Sequence, residues 1–417
     1  MVNFERHRLS NGLTILVQED FSTPLAAVNI LYPVGARNES PEQTGFAHLF
    51  EHFMFEGSVH VPDFDTELQL AGGENNAFTT SDITNYYDIL PAANLETAFW
   101  LESDRMLSLD FNEESLATQK RVVIEEFKEN YVNQPYGDWW HAMSALAYQV
   151  HPYRWPVIGL NTEHIAGVKM EDFRAFFFRW YRPNQAILSV SGGVKANRVF
   201  QLAERWFGDI PRGENRPTDI LREPEQREKR TLSMRGEVPV NALFKAWKMS
   251  GRNEPGYFAA DIIRDLLSNG DSSRLYEELV KEQKLYSSIS AYLSDTYDEG
   301  LLFVEGRLNE GISFEAAEEG LNHCVRKLAE KCIDEKELMK VKNKLEAYVL
   351  FGDTQVSHRA MNLGFYEWLG DANRINTEIE GYRSLTAEKV RQTAEQIFAE
   401  HRSSVIYYHR AESHQTA

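Results

Sequence analysis

The feature that most constrains this chain is that its two halves repeat. The segment MEDFRAFFFRWYRPNQAILSVSG (170–192) parallels AEKVRQTAEQIFAEHRSSVIYYH (387–409). Each has a helical period, a basic or Asn-rich turn, and then a run of strand length. Earlier in each half a further helix is expected, ESLATQKRVVIEEFK from Glu114 and EKELMKVKNKLEAYVL from Glu335, each preceded by another of similar length. Between the halves, residues 211–230 carry Pro211, Pro217 and Pro224 among many charges and few apolar residues, which is how a linker reads. The pattern predicts an α+β chain of two repeated domains of the same topology, each a mostly antiparallel sheet with helices packed on one side. The expected boundaries are 1–210, a linker at 211–230, and 231–417.

The first half has clear local signals. Ser10-Asn11-Gly12 is a hairpin turn between His7–Leu9 and Leu13–Val17. Residues 26–32, 76–78, 86–90 and 186–190 read as strands, and 94–107 and 114–130 as amphipathic helices. From Thr44 the period becomes helical. The hydrophobic content of 42% supplies two ordinary cores. A formal net charge of −19 argues against nucleic acid as a partner and weakly favours basic ligands. Cys324 and Cys332 are too few for a disulfide framework and are expected to be buried free thiols on one helical stretch. No apolar run reaches the roughly 18 residues of a membrane span. The N-terminus shows no signal segment, so the chain as given reads as cytoplasmic, or periplasmic if a signal peptide has been trimmed.

The segment GFAHLFEHFMFEGS (45–58) sets His48, Glu51 and His52 among seven apolar side chains. Polar groups in such company need compensation for lost hydration. On a helix, His48 and His52 stand one turn apart on one face. Glu51 falls about 60° from the first and about 100° from the second. Two imidazoles so placed can ligate one zinc ion, and the intervening carboxylate can take a proton from a water. This is the order His-x-x-Glu-His, the reverse of the commoner zincin order. A polar stripe on an otherwise buried helix is the plain alternative. A catalytic zinc takes a third protein ligand. The helix TQKRVVIEEFKEN (118–130) offers Glu125, Glu126 and Glu129. Glu126 shares a face with Val122 and Val123 and points inward, Glu125 sits above Arg121 and reads as solvated, and Glu129 lies nearer the polar end.

With HLFEH, the later VVIEE and the stretch ENNAFTTSDITNYYDILP (74–91), the sequence resembles the pitrilysin family of zinc peptidases. It is most similar to the short branch with two domains per chain, and the resemblance runs over both halves. It implies that His48, His52 and Glu126 hold zinc, one ion per chain. Glu51 is then the general base, and the strand with Asn76, Ala77 and Phe78 pairs with an extended substrate. Glu126 follows His52 by 126 − 52 = 74 positions, and Glu129 stays a second candidate. Many members carry a Glu seven residues before the third ligand; here that residue is Gln119.

Many members also carry, in the second half, an Arg and a Tyr that bind the substrate carbonyl. In SSRLYEELVKEQKLYSSISAY (272–292) those positions hold Val280 and Ser287, with Tyr286 one place away. The resemblance therefore implies a zinc endopeptidase of unfolded or short peptides, working as the catalytic subunit of a heterodimer whose homologous partner supplies the Arg and Tyr. A homodimer, or Tyr286 serving in place of the missing Tyr, is the alternative. A non-catalytic structural or peptide-binding member of the same fold is the other reading.

Overall fold

The computed structural model describes residues 1–214 and 219–411. Pro217, within the expected linker, lies outside them. In chain order the first half forms β1 (Glu5–Arg8), β2 (Thr14–Glu19), β3 (Leu25–Tyr32), α1 (Phe46–Phe53), α2 (Phe64–Leu70), β4 (Glu74–Thr79), β5 (Thr84–Pro91), α3 (Leu95–Leu107), α4 (Glu113–Phe127), α5 (Trp139–Ala147), α6 (Thr162–Ala166), α7 (Met170–Trp180), β6 (Ile187–Gly192) and α8 (Ala196–Phe207). The second forms β7 (Arg230–Gly236), β8 (Ala242–Met249), α9 (Tyr257–Ser268), β9 (Tyr286–Leu293), β10 (Gly300–Leu308), α10 (Phe314–Glu330), α11 (Glu335–Gly352), α12 (Val356–Trp368), α13 (Arg374–Arg383), α14 (Ala387–Ile397) and β11 (Ser403–Arg410).

The repeat is real at the level of strand order. The first sheet runs β1-β2-β6-β3-β5-β4 and the second β7-β11-β8-β10-β9. Apart from the β1 hairpin, the two orders correspond strand for strand. In each, the first strand pairs parallel with the last and every other neighbour is antiparallel. Antiparallel pairing therefore dominates both, as the sequence predicts.

The chain does not partition into contiguous halves. One compact unit comprises Met1–Phe127, Trp155–Ile220 and Tyr348–Glu378; the other comprises Lys128–Arg154, Leu221–Ala347 and Ile379–Ala417. The expected ranges 1–210 and 231–417 thus differ from the units by two exchanged segments. The segment carrying α5 belongs with the second sheet and that carrying α12 with the first. The later part of the expected linker is also bound within its unit. Glu223 accepts from the amides of Gln149, Val150 and His151, and Gln226 donates to Ser403 O.

The exchange has a physical reason. Each sheet has helices on one face, as expected, but the opposite face also carries a helix, against the expectation of cover on one side alone. In the first, Tyr32 and Tyr86 face Tyr181, just after α7. In the second, Leu243, Trp247 and Val304 pack with residues of α9, α10 and α14. The opposite faces are not open to water. In the second unit Phe244, Phe303, Ile406 and Tyr408 are covered by Tyr136, Trp139 and Met143, with Trp139 stacked on Phe244 at 4.5 Å. In the first, α12 covers a more polar surface. Ser189 Oγ donates to Ala360 O at 2.7 Å, and Gly364 lets the helix approach so closely that a Cβ there would sit 3.0 Å from Ser189 Oγ. Strands buried on both faces carry apolar residues on both, as β8 (ALFKAWKM) does apart from Lys245 and Lys248, and it is buried along its whole length.

Arg359 fastens α12 to its sheet. Its guanidinium donates to Asp20 Oδ2 at 2.5 Å, Gln18 Oε1 at 2.8 Å and Asp353 O at 2.7 Å, and the residue is buried. Removing Arg359 leaves Asp20, partly exposed, without its charge partner and Gln18 Oε1 without this donor, at a cost of about 1–3 kcal/mol. Arg359→Leu should lower the first denaturation midpoint accordingly, while Asp20→Asn should cost less because Gln18 still receives the guanidinium. Equal midpoints for wild type and Arg359→Leu would show that α12 is held by packing alone.

Candidate metal centre

The helix α1 is built to bury one face and offer the other. Phe46, Leu49, Phe50 and Phe53 follow the i, i+3, i+4, i+7 spacing of a core face, and all are buried. They rest on α7 and the residue after it: Phe50 lies 4.5 Å from both Phe173 and Tyr181, Phe53 4.7 Å from Phe173, and Phe46 5.0 Å from Phe176. The remaining face carries His48, Glu51 and His52, all partly exposed. The two imidazole rings stand 4.8 Å apart and nearly perpendicular.

The third donor arrives from α4, which packs beside α1. Val123 is fully buried and turns Glu126, three residues onward and about 60° round the helix, toward the histidines. Val122, expected on the same inward face, is instead exposed. Glu126 Oε2 lies 3.8 Å from His48 Nε2 and 3.5 Å from His52 Nε2. The three donor atoms all fall within 4.8 Å of one another, and no other such group of three or more occurs among the described residues. A tetrahedral zinc with ligand bonds of about 2.0–2.1 Å separates its ligand atoms by roughly 3.4 Å. Two nitrogens and a carboxylate at these spacings fit that ion. Glu125 is not in the cluster. Neither is Glu129, because α4 ends at Phe127 and Lys128–Val132 form a π-helical turn where the sequence predicted continuing α-helix.

The electrostatics suit a cation. Burial lowers His48 to about 4, against the pull of Glu126, so its ring is neutral and has a lone pair to give. Hydrogen bonding to His52 holds the Glu126 carboxyl below its ordinary value and so anionic. Burial raises Glu51, opposed by the Thr79 hydroxyl, which donates to Glu51 Oε2 at 2.5 Å. Gln119 donates to Glu56, and its own Oε1 is buried without a partner, as is His48 Nδ1.

Asn76, Ala77 and Phe78 lie on β4, which ends the first sheet and runs beside α1. The Ala77 amide donates to Asn76 Oδ1 at 2.8 Å. Sequence reasoning did not single out two further residues. Thr79 falls in the 74–91 stretch and has no spacing signal of its own. Glu39 gave no spacing signal, yet its carboxylate oxygens accept from the amides of Gly45 and Ala47 at the start of α1. Of the thiols, Cys324 is buried as expected, but Cys332 is exposed just past the end of α10, donating to Glu388.

Repeated α+β units, one of them holding a His-x-x-Glu-His helix and a carboxylate from a neighbouring helix, define a metallopeptidase-like class, and comparison with known proteins agrees. The family model described as insulinase (peptidase family M16) matches residues 14–159, and that described as the peptidase M16 inactive domain matches 167–345. A zinc protease PqqE of Helicobacter pylori is 31% identical over 341 residues, covering 80% of this chain and 76% of that protein. A probable mitochondrial-processing peptidase subunit beta of Schizosaccharomyces pombe is 25% identical over 321 residues, covering 71% and 67%. The crystal structure of a protease from Helicobacter pylori superposes with a TM-score of 0.92 at 27% identity, covering 98% of this chain and 100% of that one. The chain belongs to the M16 (insulinase) peptidase family. No helix among the described residues is long and apolar enough to cross a membrane.

The His48 shift has a pH consequence in metal-free protein. The folded state binds this proton less readily than the unfolded chain, whose imidazole titrates at its ordinary 6.5. The stabilisation is present above 6.5 and is lost as pH falls toward about 4. Urea midpoints in chelator should decline across that window, and His48→Leu should flatten the decline. An unaltered slope in the variant would assign the acid sensitivity to another group.

Proposed function

We propose that this chain is a zinc-dependent endopeptidase acting on unfolded or short peptides, and the catalytic subunit of a dimer. The observation that carries the reading is the convergence of His48 Nε2, His52 Nε2 and Glu126 Oε2 beside a carboxylate, Glu51, that is not one of the three. His48, His52 and Glu126 would hold the ion. Zinc in such a site supplies Lewis acidity, polarising the scissile carbonyl and making a water easier to deprotonate. Glu51 takes that proton as the water oxygen bonds to the carbonyl carbon, then passes it to the amide nitrogen as the C–N bond breaks. The Thr79 hydroxyl fixes one carboxylate oxygen so that the base meets the water in one orientation. The edge strand β4 offers an extended peptide a place to add as a further strand, which selects unfolded chains over folded ones.

Glu51→Gln should retain about one zinc per chain and lose peptide hydrolysis by at least about 10²-fold, since it removes the base and no ligand. His48→Ala should lose the metal. Metal analysis and cleavage of a quenched-fluorescent peptide check both. Wild-type turnover by Glu51→Gln would overturn the assignment of the base.

The second half supports a heterodimer. Val280 packs against the second unit's core, and the Ser287 hydroxyl donates to Arg307 O. Tyr286 is fully buried and donates to Ala317 O at 2.8 Å, in a slot so tight that a Cβ at Gly306 would sit 2.5 Å from its ring. None of the three presents a guanidinium or phenol to a substrate. A second copy of this chain would bring the same residues, so a homologous, non-identical partner is the better source of the Arg and Tyr. The mitochondrial-processing relative is itself named as a subunit. Tyr286→Phe should therefore cost about 1 kcal/mol of stability, one buried hydrogen bond, without slowing hydrolysis. Adding a homologue that carries the Arg and Tyr should raise the rate by about 10²–10³-fold. Full activity of the isolated chain, abolished by Tyr286→Phe, would return that role to Tyr286.

A further inference from the structure

His48 is the third residue of a helix only eight residues long. Helices much shorter than about 12–15 residues do not hold themselves, and the first turn is where fraying starts because its amides lack partners. A helix of this kind normally takes a Ser, Thr, Asp or Asn at its first capping position. Here that position is Gly45, in the left-handed region with φ 82°. A Cβ there would stand 2.6 Å from Ile158 O, so no side chain can occupy it. The missing cap comes from further back along the chain. Glu39 Oε2 accepts from the Gly45 amide at 3.0 Å, and Oε1 from the Ala47 amide at 2.8 Å.

We infer that Glu39 is a positioning residue for the metal centre, clamping the first turn of α1 so that His48 stays one turn from His52 and in reach of Glu126. The ligand pair exists only while residue 48 is helical. Loss of one turn would carry the His48 imidazole off the shared face and leave His52 and Glu126 as a two-donor site. The clamp is braced from its far side. The Trp155 indole donates to Ala36 O at 2.9 Å, fixing the turn Ala36–Asn38 that leads into Glu39, and hydrogen-bonds to the Glu39 carboxyl as well. An anionic or hydrogen-bond-accepting group at this end also complements the helix dipole. Burial pushes the Glu39 carboxyl up, and the α1 amides and the Trp155 indole each pull it back, because every one of these donors favours the accepting, anionic form.

The inference rests on the metal reading of His48, His52 and Glu126, and the test separates the two. Wild type, Glu39→Gln, Glu39→Asp and Glu39→Ala are stripped of metal. Zinc affinity is then measured by competition with a chromophoric chelator, and the visible spectrum is recorded after cobalt(II) loading. Glu39→Ala should weaken zinc by about 10–100-fold, the usual effect of losing a group that orients a ligand. It should also change the cobalt bands and lower kcat with KM little altered. Glu39→Gln, which keeps one acceptor, should fall between wild type and Ala. Glu39→Asp, one methylene too short to reach both amides, should resemble Ala. If Glu39→Ala does not fold, Glu39→Gln together with Trp155→Phe carries the test, with a smaller shift expected in the same direction. A lower melting temperature with unchanged zinc affinity and cobalt spectrum would overturn the inference and leave Glu39 a structural cap. Failure of the wild type to bind zinc would instead overturn the metal reading beneath it.

Discussion

The bed of aromatic rings under α1 is the interaction on which the site depends. Two turns of helix cannot hold a metal-binding geometry unaided. Phe46, Phe50 and Phe53 drive into Phe173, Phe176 and Tyr181, and Tyr181 in turn packs 4.4 Å from Tyr32 of β3. The helix is thus fixed to the sheet through shared ring contacts, in one rotation about its axis. That rotation leaves His48, Glu51 and His52 on the outward face. Offset and edge-to-face ring pairs prefer particular geometries, so the bed sets orientation as well as depth. The greasy surroundings of the histidines in the sequence are the foundation of the polar site, and no contradiction of it.

Much of the site was legible because helical spacing is rigid. The i, i+4 histidines and the intervening Glu51 needed only the 3.6-residue period. Glu126 was harder, since the argument from Val122 and Val123 holds for Val123 alone; Val122 is exposed. Glu129 falls outside the cluster, in a π-helical turn from Lys128 that no sequence period announces. Thr79 and Glu39 could not be read at all. Both act through contacts across the chain, a hydroxyl on Glu51 and a carboxylate on two amides, and such pairs leave no periodic trace.

The fold divides in a similar way. Turn residues and apolar runs marked the strands, and the repeat predicted the common strand order. The exchange of α5 and α12 was hidden, because an amphipathic helix declares that it has a face to bury and not which sheet will bury it. The strands held the hint. The mostly apolar β8, with Leu243, Phe244, Ala246 and Trp247 on both faces, demands cover on both sides. On the first sheet the corresponding surface is not apolar: Asn29, Asn85, Ser189 and Ser191 are buried there and satisfied by one another and by α12. Buried polar groups of this kind need particular partners, so α12 has one seat, whereas α5 is held by broad aromatic contact.

The two repeats have diverged in opposite directions from one plan. In the first, the edge strand β4 keeps an alternating, half-exposed pattern next to the helix that carries His48, Glu51 and His52. In the second, the corresponding strand β9 opens with Tyr286, turned inward and hydrogen-bonded to a backbone carbonyl. A π-helical turn, Tyr276–Glu282, and a left-handed Lys284 precede it, and such a turn changes which side chain reaches which face. The Tyr286 phenol is therefore part of the core. A side chain with a buried, satisfied hydroxyl cannot be recruited to a substrate without leaving a cavity and an unpaired carbonyl. The second unit thus keeps the strand order of the first while its β9 start is committed to packing, with Val280 against the core and Tyr286 and Ser287 hydrogen-bonded to backbone carbonyls.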